Sequence, residues 1–275
     1  MEVVKAWGEC RPRGSAALAF AALKYRVVHG ALKKPVYRFI QRRCPAQDVE
    51  FDGLKLRCHI ADNGPERFVI FPERRAAWDA LELSVGGLEP GDVFVDVGAN
   101  FGLYSAMAAK RVGPSGRVVA IEPHPELIRR LKFNINANGF DNVTFFEAAV
   151  GADPGEATLY VNTSSFAESS LVAEGPNTRA ALRATPVPVR TLHEIVETAG
   201  LTRIDSLKID IEGYEDRALV PFLDTAPRHL WPRRVLVETI HTRDWATDCV
   251  ARFLAGGYVL ERETKSDALL VRPPG

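Results

Sequence analysis

The residues best equipped for chemistry in this chain fall in four short segments, each at the end of an apolar run. The first is Asp96-Val97-Gly98-Ala99-Asn100-Phe101-Gly102. Glycines there let the backbone turn tightly and let a ligand approach the main chain. Asparagine at 100 is one of the few residues that tolerate a left-handed backbone. The spacing does not match the Gly-x-Gly-x-x-Gly fingerprint that sets a pyrophosphate on a helix N-terminus. The second is Glu122, 24 residues beyond Gly98. A carboxylate ending a second strand can accept both hydroxyl hydrogens of a ribose. The stretch Asn142–Ala149 ends a third strand, where Phe146, Glu147 or Ala148 would flank a base, a core role being equally open for Phe146. The third segment is Lys208-Ile209-Asp210-Ile211-Glu212-Gly213-Tyr214-Glu215. Three carboxylates in six positions are costly to gather unless water, a cation or hydrogen-bond donors face them, although Glu212 and Glu215 also suit the positive start of a helix. The fourth, Val237-Glu238-Thr239-Ile240-His241, brings a carboxylate and an imidazole to the end of a fifth strand. An imidazole can take a hydroxyl proton near neutral pH.

These segments need a frame that lines up strand ends, and the pattern from residue 90 onward supplies one. Val93–Val97, Val118–Ile121, Val143–Phe146, Ser206–Ile209 and Val235–Val237 are short apolar runs suited to strands buried on both faces. Helical stretches separate most of them: 104–111, 126–138, 192–199, 214–223 and 245–254. Residues 258–261 and 268–271 predict a closing antiparallel pair, and 157–161 a further extended segment. Alternating strands and helices imply an α/β fold, a Rossmann-like and mostly parallel sheet with an antiparallel last strand. Ligands in such sheets bind at the carboxyl ends of the strands. The Ser-, Gly- and Pro-rich stretch 164–176 reads as a loop. The longer segment 162–177 is expected to act as a lid that orders when ligands bind.

The acid-x-Gly-x-x-x-Gly spacing at Asp96, Gly98 and Gly102 fits the turn of S-adenosylmethionine enzymes, whose ligand has a sulfonium and an amino acid tail in place of phosphates. The wider pattern resembles the FkbM-type methyltransferases. The resemblance rests on DVGANFGLYS at 96–105, VVAIEPHP at 118–125, NVTFFEAAVG at 142–151, LKIDIEGYE at 207–215 and VLVETIH at 235–241. It runs over residues 90–260, about two-thirds of the chain. Where the family often has Glu-Ile-His, Thr239 here separates Glu238 from Ile240-His241. The resemblance implies a class I methyltransferase fold, S-adenosylmethionine as methyl donor, and O-methylation of a hydroxyl on a sugar, polyketide or other small metabolite.

On this reading Asp96, Gly98, Asn100, Gly102, Glu122, Ala148 and Asp210 hold the donor. Asp210 or His241 takes the acceptor proton, with Glu212 and Glu238 orienting it. A variant mechanism places a divalent cation between Asp210 and Glu238 to lower the hydroxyl pKa. Alternatives are methylation of an amine, nucleic acid or protein, a nucleotide-dependent oxidoreductase, and a non-catalytic binding module. The glycine spacing opposes the oxidoreductase, and no Asn/Asp-Pro-Pro-aromatic amine-methylating motif is present.

Composition narrows the partners. The 275 residues include 46% hydrophobic ones, which excludes a disordered chain, and the formal net charge is zero, so no general affinity for nucleic acid is expected. Residues 1–47 nevertheless carry ten Lys or Arg against Glu2 and Glu9. This segment reads as a basic helical arm, a candidate for peripheral contact with anionic lipid or an acidic partner. Around Asp52-Gly53, residues 49–60 alternate as a hairpin does, and 74–87 read as a helix containing Trp78, Leu81 and Leu83. The expected division is an arm at 1–47, a hairpin-and-helix cap at 48–89 and a methyltransferase domain at 90–275. Cys10, Cys44, Cys58 and Cys249 lack metal or redox spacing and are expected to be reduced thiols. The apolar run Ala16–Leu23 is far shorter than the roughly 20 residues of a membrane span, and no small-residue cleavage site follows it. A cytoplasmic protein is expected.

Overall fold

The structure is a computed structural model. It describes residues 5–273 apart from 26, 72–74, 163–165, 167–168, 170 and 172–181. Two helices open it, α1 (Ser15–Lys24) and α2 (Lys33–Arg43), followed by an antiparallel hairpin of β1 (Ala46–Phe51) and β2 (Leu54–His59). Asp52 and Gly53 make the hairpin turn with φ of 48° and 73°, the left-handed pair that a two-residue turn of this kind requires. Helices α3 (Gly64–Ile70) and α4 (Arg75–Val85) follow.

The main sheet is built from β3 (Val93–Val97), β4 (Arg117–Ile121), β5 (Val143–Phe146), β9 (Ser206–Ile209), β10 (Arg234–Glu238), β11 (Val259–Glu263) and β12 (Asp267–Val271). Their spatial order is β11-β12-β10-β9-β3-β4-β5. Pairs from β10 to β5 are parallel, and β12 runs antiparallel to both β10 and β11. This is an α/β, Rossmann-like and mostly parallel sheet with an antiparallel last strand. All five residues of β3 are buried, because helices cover both faces of a central parallel strand. Alternate residues serve opposite cores: Val95 and Val97 pack with Ile209 and Phe222, while Phe94 packs with Ala106 and Leu131. Leu23, Ile40, Phe51 and Leu81 belong to that second cluster, so α1, α2, β1 and α4 share a core with the sheet.

Strand order reverses between β3 and its neighbour β9, and a ligand crevice opens at such a switch point. Register does the rest. Val97 pairs with both Ile121 and Ile209, so Gly98, Glu122 and Asp210 leave three neighbouring strands at one level.

Helices α5 (Leu103–Val112), α6 (Pro125–Ala137), α7 (Leu192–Thr198), α8 (Glu215–Thr225) and α9 (Cys249–Ala255) lie close to their expected spans, except for α9. It begins at 249 and not 245, because the Asp248 carboxylate accepts from Ala251 N and caps it there. A second sheet of β6 (Ala149–Val150), β7 (Gly155–Asn162) and β8 (Leu182–Arg190) has the order β6-β8-β7. β8 was not readable from sequence, since Pro186 and Pro188 interrupt it. Both face Thr158 and Glu156 on β7 and are exposed. β6 pairs only with Val189 and Arg190, so the prolines occupy an edge where a missing N–H costs nothing. Of the expected lid, residues 163–165, 167–168, 170 and 172–177 lie outside the described residues. All four cysteines are free thiols. Among the described residues, no helix is long and apolar enough to cross a membrane.

Candidate active site

The glycine turn after β3 is held from below. Gly98 adopts φ 75°, and a Cβ there would lie 1.9 Å from the Asp210 carbonyl oxygen. Asn100 is left-handed at φ 53°. Its side-chain oxygen accepts from Phe101 N at 2.8 Å and from Asn63 Nδ2 at 2.6 Å. Gly102 is also left-handed, and packs where a Cβ would meet Leu131 at 2.9 Å. Asp96 lies behind the turn, fully buried, and accepts from Ser105 Oγ at 2.6 Å. Burial raises its pKa against the pull of Lys208. Its second oxygen, Oδ1, has no hydrogen-bond partner, though the Lys208 ammonium stands 3.7 Å away.

Lys208 is the site residue that sequence reasoning missed. Its ammonium donates to Gly98 O at 2.8 Å and lies 3.6 Å from Asp210 Oδ2. Burial opposes its charge, but Asp210, Asp96 and Glu122 outweigh that and hold its pKa above the ordinary lysine value. The available signal was a lysine inside a four-residue buried strand, two positions before Asp210 and therefore on the same face.

Glu122 is buried at the end of β4. Its Oε2 accepts from Asn100 N at 2.8 Å and its Oε1 from His124 N at 2.9 Å. Burial pushes its pKa up to about 7, although both amides favour the charge. Gly98, Asn100, Glu122, Ala148, Asp210 and Glu212 line one cavity of about 790 Å³, near the upper end of the roughly 300–1,000 Å³ usual for small-molecule sites. Asp96 and Gly102 are not among its described lining residues. Phe146 is core, under the Arg190 guanidinium, and Glu147 is paired with Lys132 on the surface. Of the loop after β7, Phe166, Ser169 and Leu171 line the cavity. Phe166 N donates to Asp62 O at 2.7 Å, and its ring lies 4.6 Å from that of His124.

The turn after β9 is shaped by Glu215, which accepts from Ile211 N, Gly213 N and Trp245 Nε1. That bracing keeps Glu212 left-handed at φ 56°, a conformation costly for a non-glycine residue. Glu212 Oε2 lies 3.2 Å from His241 Nε2. His241 itself is not among the described lining residues and reaches the cavity through Glu212. Glu238 is buried at the end of β10, opposite Asp267. Burial, then the carboxylates of Asp210, Glu215 and Glu212, push its pKa up to about 9, so it carries a proton at neutral pH. Its Oε2 has no hydrogen-bond partner. Among the described residues, no group of three or more His, Cys, Asp or Glu is arranged to hold a metal ion.

Asn63 ties the N-terminal elements to the turn. It is fully buried, and its Nδ2 donates to both Asn100 Oδ1 and Glu66 Oε1. Glu66 in turn accepts from Arg130 Nη1 at 2.7 Å. Asn63→Ala removes one donor each from Asn100 Oδ1 and Glu66 Oε1, which keep Phe101 N and Arg130, and at about 0.5–1.5 kcal/mol per bond is expected to lower stability by about 1–3 kcal/mol. It should also weaken S-adenosylhomocysteine binding about 3- to 10-fold by releasing Asn100. Urea unfolding with calorimetry checks both. An unchanged affinity would reduce Asn63 to a core residue.

Residues 96–255 match the family model for the methyltransferase FkbM domain. The chain is 30% identical over 197 residues to the 31-O-demethyl-FK506 methyltransferase FkbM of Streptomyces tacrolimicus, covering 62% of this chain and 73% of that one. It is 29% identical over 191 residues to the AMB antimetabolite synthetase AmbE of Pseudomonas aeruginosa, a match over 58% of this chain and 9% of the much longer synthetase. An arsenite methyltransferase of Halobacterium salinarum is 33% identical over 116 residues, 39% of this chain and 30% of its own length. Among solved structures, a SAM-dependent methyltransferase from Aquifex aeolicus aligns over 76% of this chain and 92% of its own at 16% identity, with a TM-score of 0.41. With the family model spanning more than half of its length, and a glycine turn, a strand-end glutamate and an acidic strand end meeting at one cavity, the chain belongs to the FkbM family of S-adenosylmethionine-dependent methyltransferases.

Proposed function

We propose that this methyltransferase acts on oxygen, methylating a hydroxyl of a sugar, polyketide or related small metabolite. The observation that carries the reading is the pair of carboxylates, Asp210 and Glu212, opening onto the same cavity as the Gly98 turn and Glu122. An alcohol becomes a competent nucleophile only when its proton is removed or shared. The O-methyltransferase FkbM supports the reading by its likeness over most of its length.

The residues fit the donor on three counts. Gly98 brings main chain without a side chain to the cavity wall. Glu122 places its carboxylate at the cavity wall. The acidic strand ends complement a cation. When bound, S-adenosylmethionine supplies an electrophilic methyl on a sulfonium. Glu122 would hold the ribose hydroxyls, Asn100 and Gly98 the turn against its tail, and Ala148 the base. Lys208 donates to the Gly98 carbonyl and stands 3.6 Å from Asp210 Oδ2, beside the cavity. Asp210 accepts the acceptor's proton, and Glu212, pinned by His241, aligns the hydroxyl. Glu238, protonated and off the cavity, supports the strand end without acting as a base.

Asp210→Asn is expected to lower kcat by about 10²- to 10⁴-fold, and His241→Ala by about tenfold. Turnover with a panel of hydroxylated metabolites, the product identified by mass spectrometry and NMR, is the test. A methyl amine as product overturns O-methylation. Turnover of Asp210→Asn within about threefold of wild type removes the base.

A further inference from the structure

The cavity is lined by groups of both charges. Glu122, Lys208, Asp210 and Glu212 line it from the strand ends of the sheet. Lys33, Lys34 and Arg67 line it from α2 and α3, together with Tyr37, Phe68 and Phe71. Lys34 is exposed and Arg67 half-buried. Among the described residues neither is paired with a carboxylate. Tyr37 donates its hydroxyl to Ile60 O at 2.9 Å and turns its oxygen to Arg67, which steadies the guanidinium.

A crevice of one sign with low-dielectric walls concentrates counter-charge. An arginine fork beside a lysine matches the oxygens of a phosphate or carboxylate. S-adenosylmethionine carries one carboxylate of its own, on its methionine tail, so an anion that binds while S-adenosylhomocysteine fills the donor site belongs to the acceptor. We propose that the acceptor is an anionic hydroxylated molecule whose phosphate or carboxylate rests on Lys34 and Arg67, with Lys33 beside them, while its hydroxyl lies at Asp210. This rests on the O-methylation reading, and it gives part of the basic arm a role in substrate selection.

The test uses the full chain saturated with S-adenosylhomocysteine. Glucose 6-phosphate and glucuronate are titrated by calorimetry against glucose, their uncharged counterpart. One of the two anions is expected to bind at least tenfold more tightly than glucose, and which one does identifies phosphate or carboxylate. The preference should vanish in Lys34→Ala/Arg67→Ala, whose unaltered S-adenosylhomocysteine affinity shows that it is folded. Equal binding of all three sugars, no binding of either anion, or a preference that survives in the double variant overturns the proposal. Failure of the O-methylation reading is seen separately, in the position of the methyl group on any turnover product: a methyl amine discards hydroxyl methylation and leaves anion recognition standing.

Discussion

Glu122→Ala is expected to weaken S-adenosylhomocysteine binding by about 100-fold or more, because charge-assisted hydrogen bonds are each worth about 1.5–3 kcal/mol and a ribose offers two hydroxyls to this carboxylate. The wild-type protein should show a pH signature as well. With a pKa near 7, Glu122 gains a proton as pH falls through neutrality and then accepts less well, so affinity declines toward pH 6. Stability of the ligand-free protein runs the other way. A carboxyl whose folded pKa lies above its ordinary value of 4.5 binds more protons folded than unfolded between the two values. Its contribution is fully present below about 4.5 and is lost as pH rises through about 7. Calorimetry and urea unfolding between pH 5.5 and 8.5 measure the two trends. Binding that is independent of pH, or retained in Glu122→Ala, would remove this glutamate from the donor site.

Gly98→Ala is the second large effect. Its Cβ would sit 1.9 Å from the backbone oxygen of Asp210, and backbone cannot swing aside as a side chain can. Relief requires parting the ends of β3 and β9, where Asp210 N donates to Val97 O and Lys208 donates to Gly98 O. The positive φ adds strain for any residue with a Cβ. A loss of about 2–4 kcal/mol in stability is expected, with S-adenosylhomocysteine binding undetectable even where the protein remains folded. Circular dichroism melts paired with calorimetry decide it. A folded variant with normal affinity would mean that the ligand does not lie against this turn.

How much of this was legible beforehand follows from what each feature depends on. The glycine turn, its left-handed Asn100 and the five core strands are local matters: backbone freedom at 98–102 and unbroken apolar runs are written residue by residue, and the sequence by itself determined them. The same holds for the hairpin turn at Asp52-Gly53. Parallel register then brought Gly98, Glu122 and Asp210 to one edge, as alternating strands and helices implied. Features that depend on distant segments meeting were decided only by the tertiary structure. Lys208 became a site residue because β3 lies beside β9 and offers its carbonyls. His241 was drawn behind Glu212, off the cavity wall, by a turn braced from Glu215. Glu238 became a protonated buried acid because the fold takes it out of water, with the carboxylates of Asp210, Glu215 and Glu212 adding to the effect. The prolines of β8 concealed a strand whose free edge lets it dispense with their N–H groups. Lys34 and Arg67, about 55 to 180 residues along the chain from Glu122, Asp210 and Glu212, share a cavity with them only because α2 and α3 pack over the sheet. Spacing along the chain carries no information about such encounters, since packing that buries apolar surface, and not sequence distance, chooses which side chains face one another.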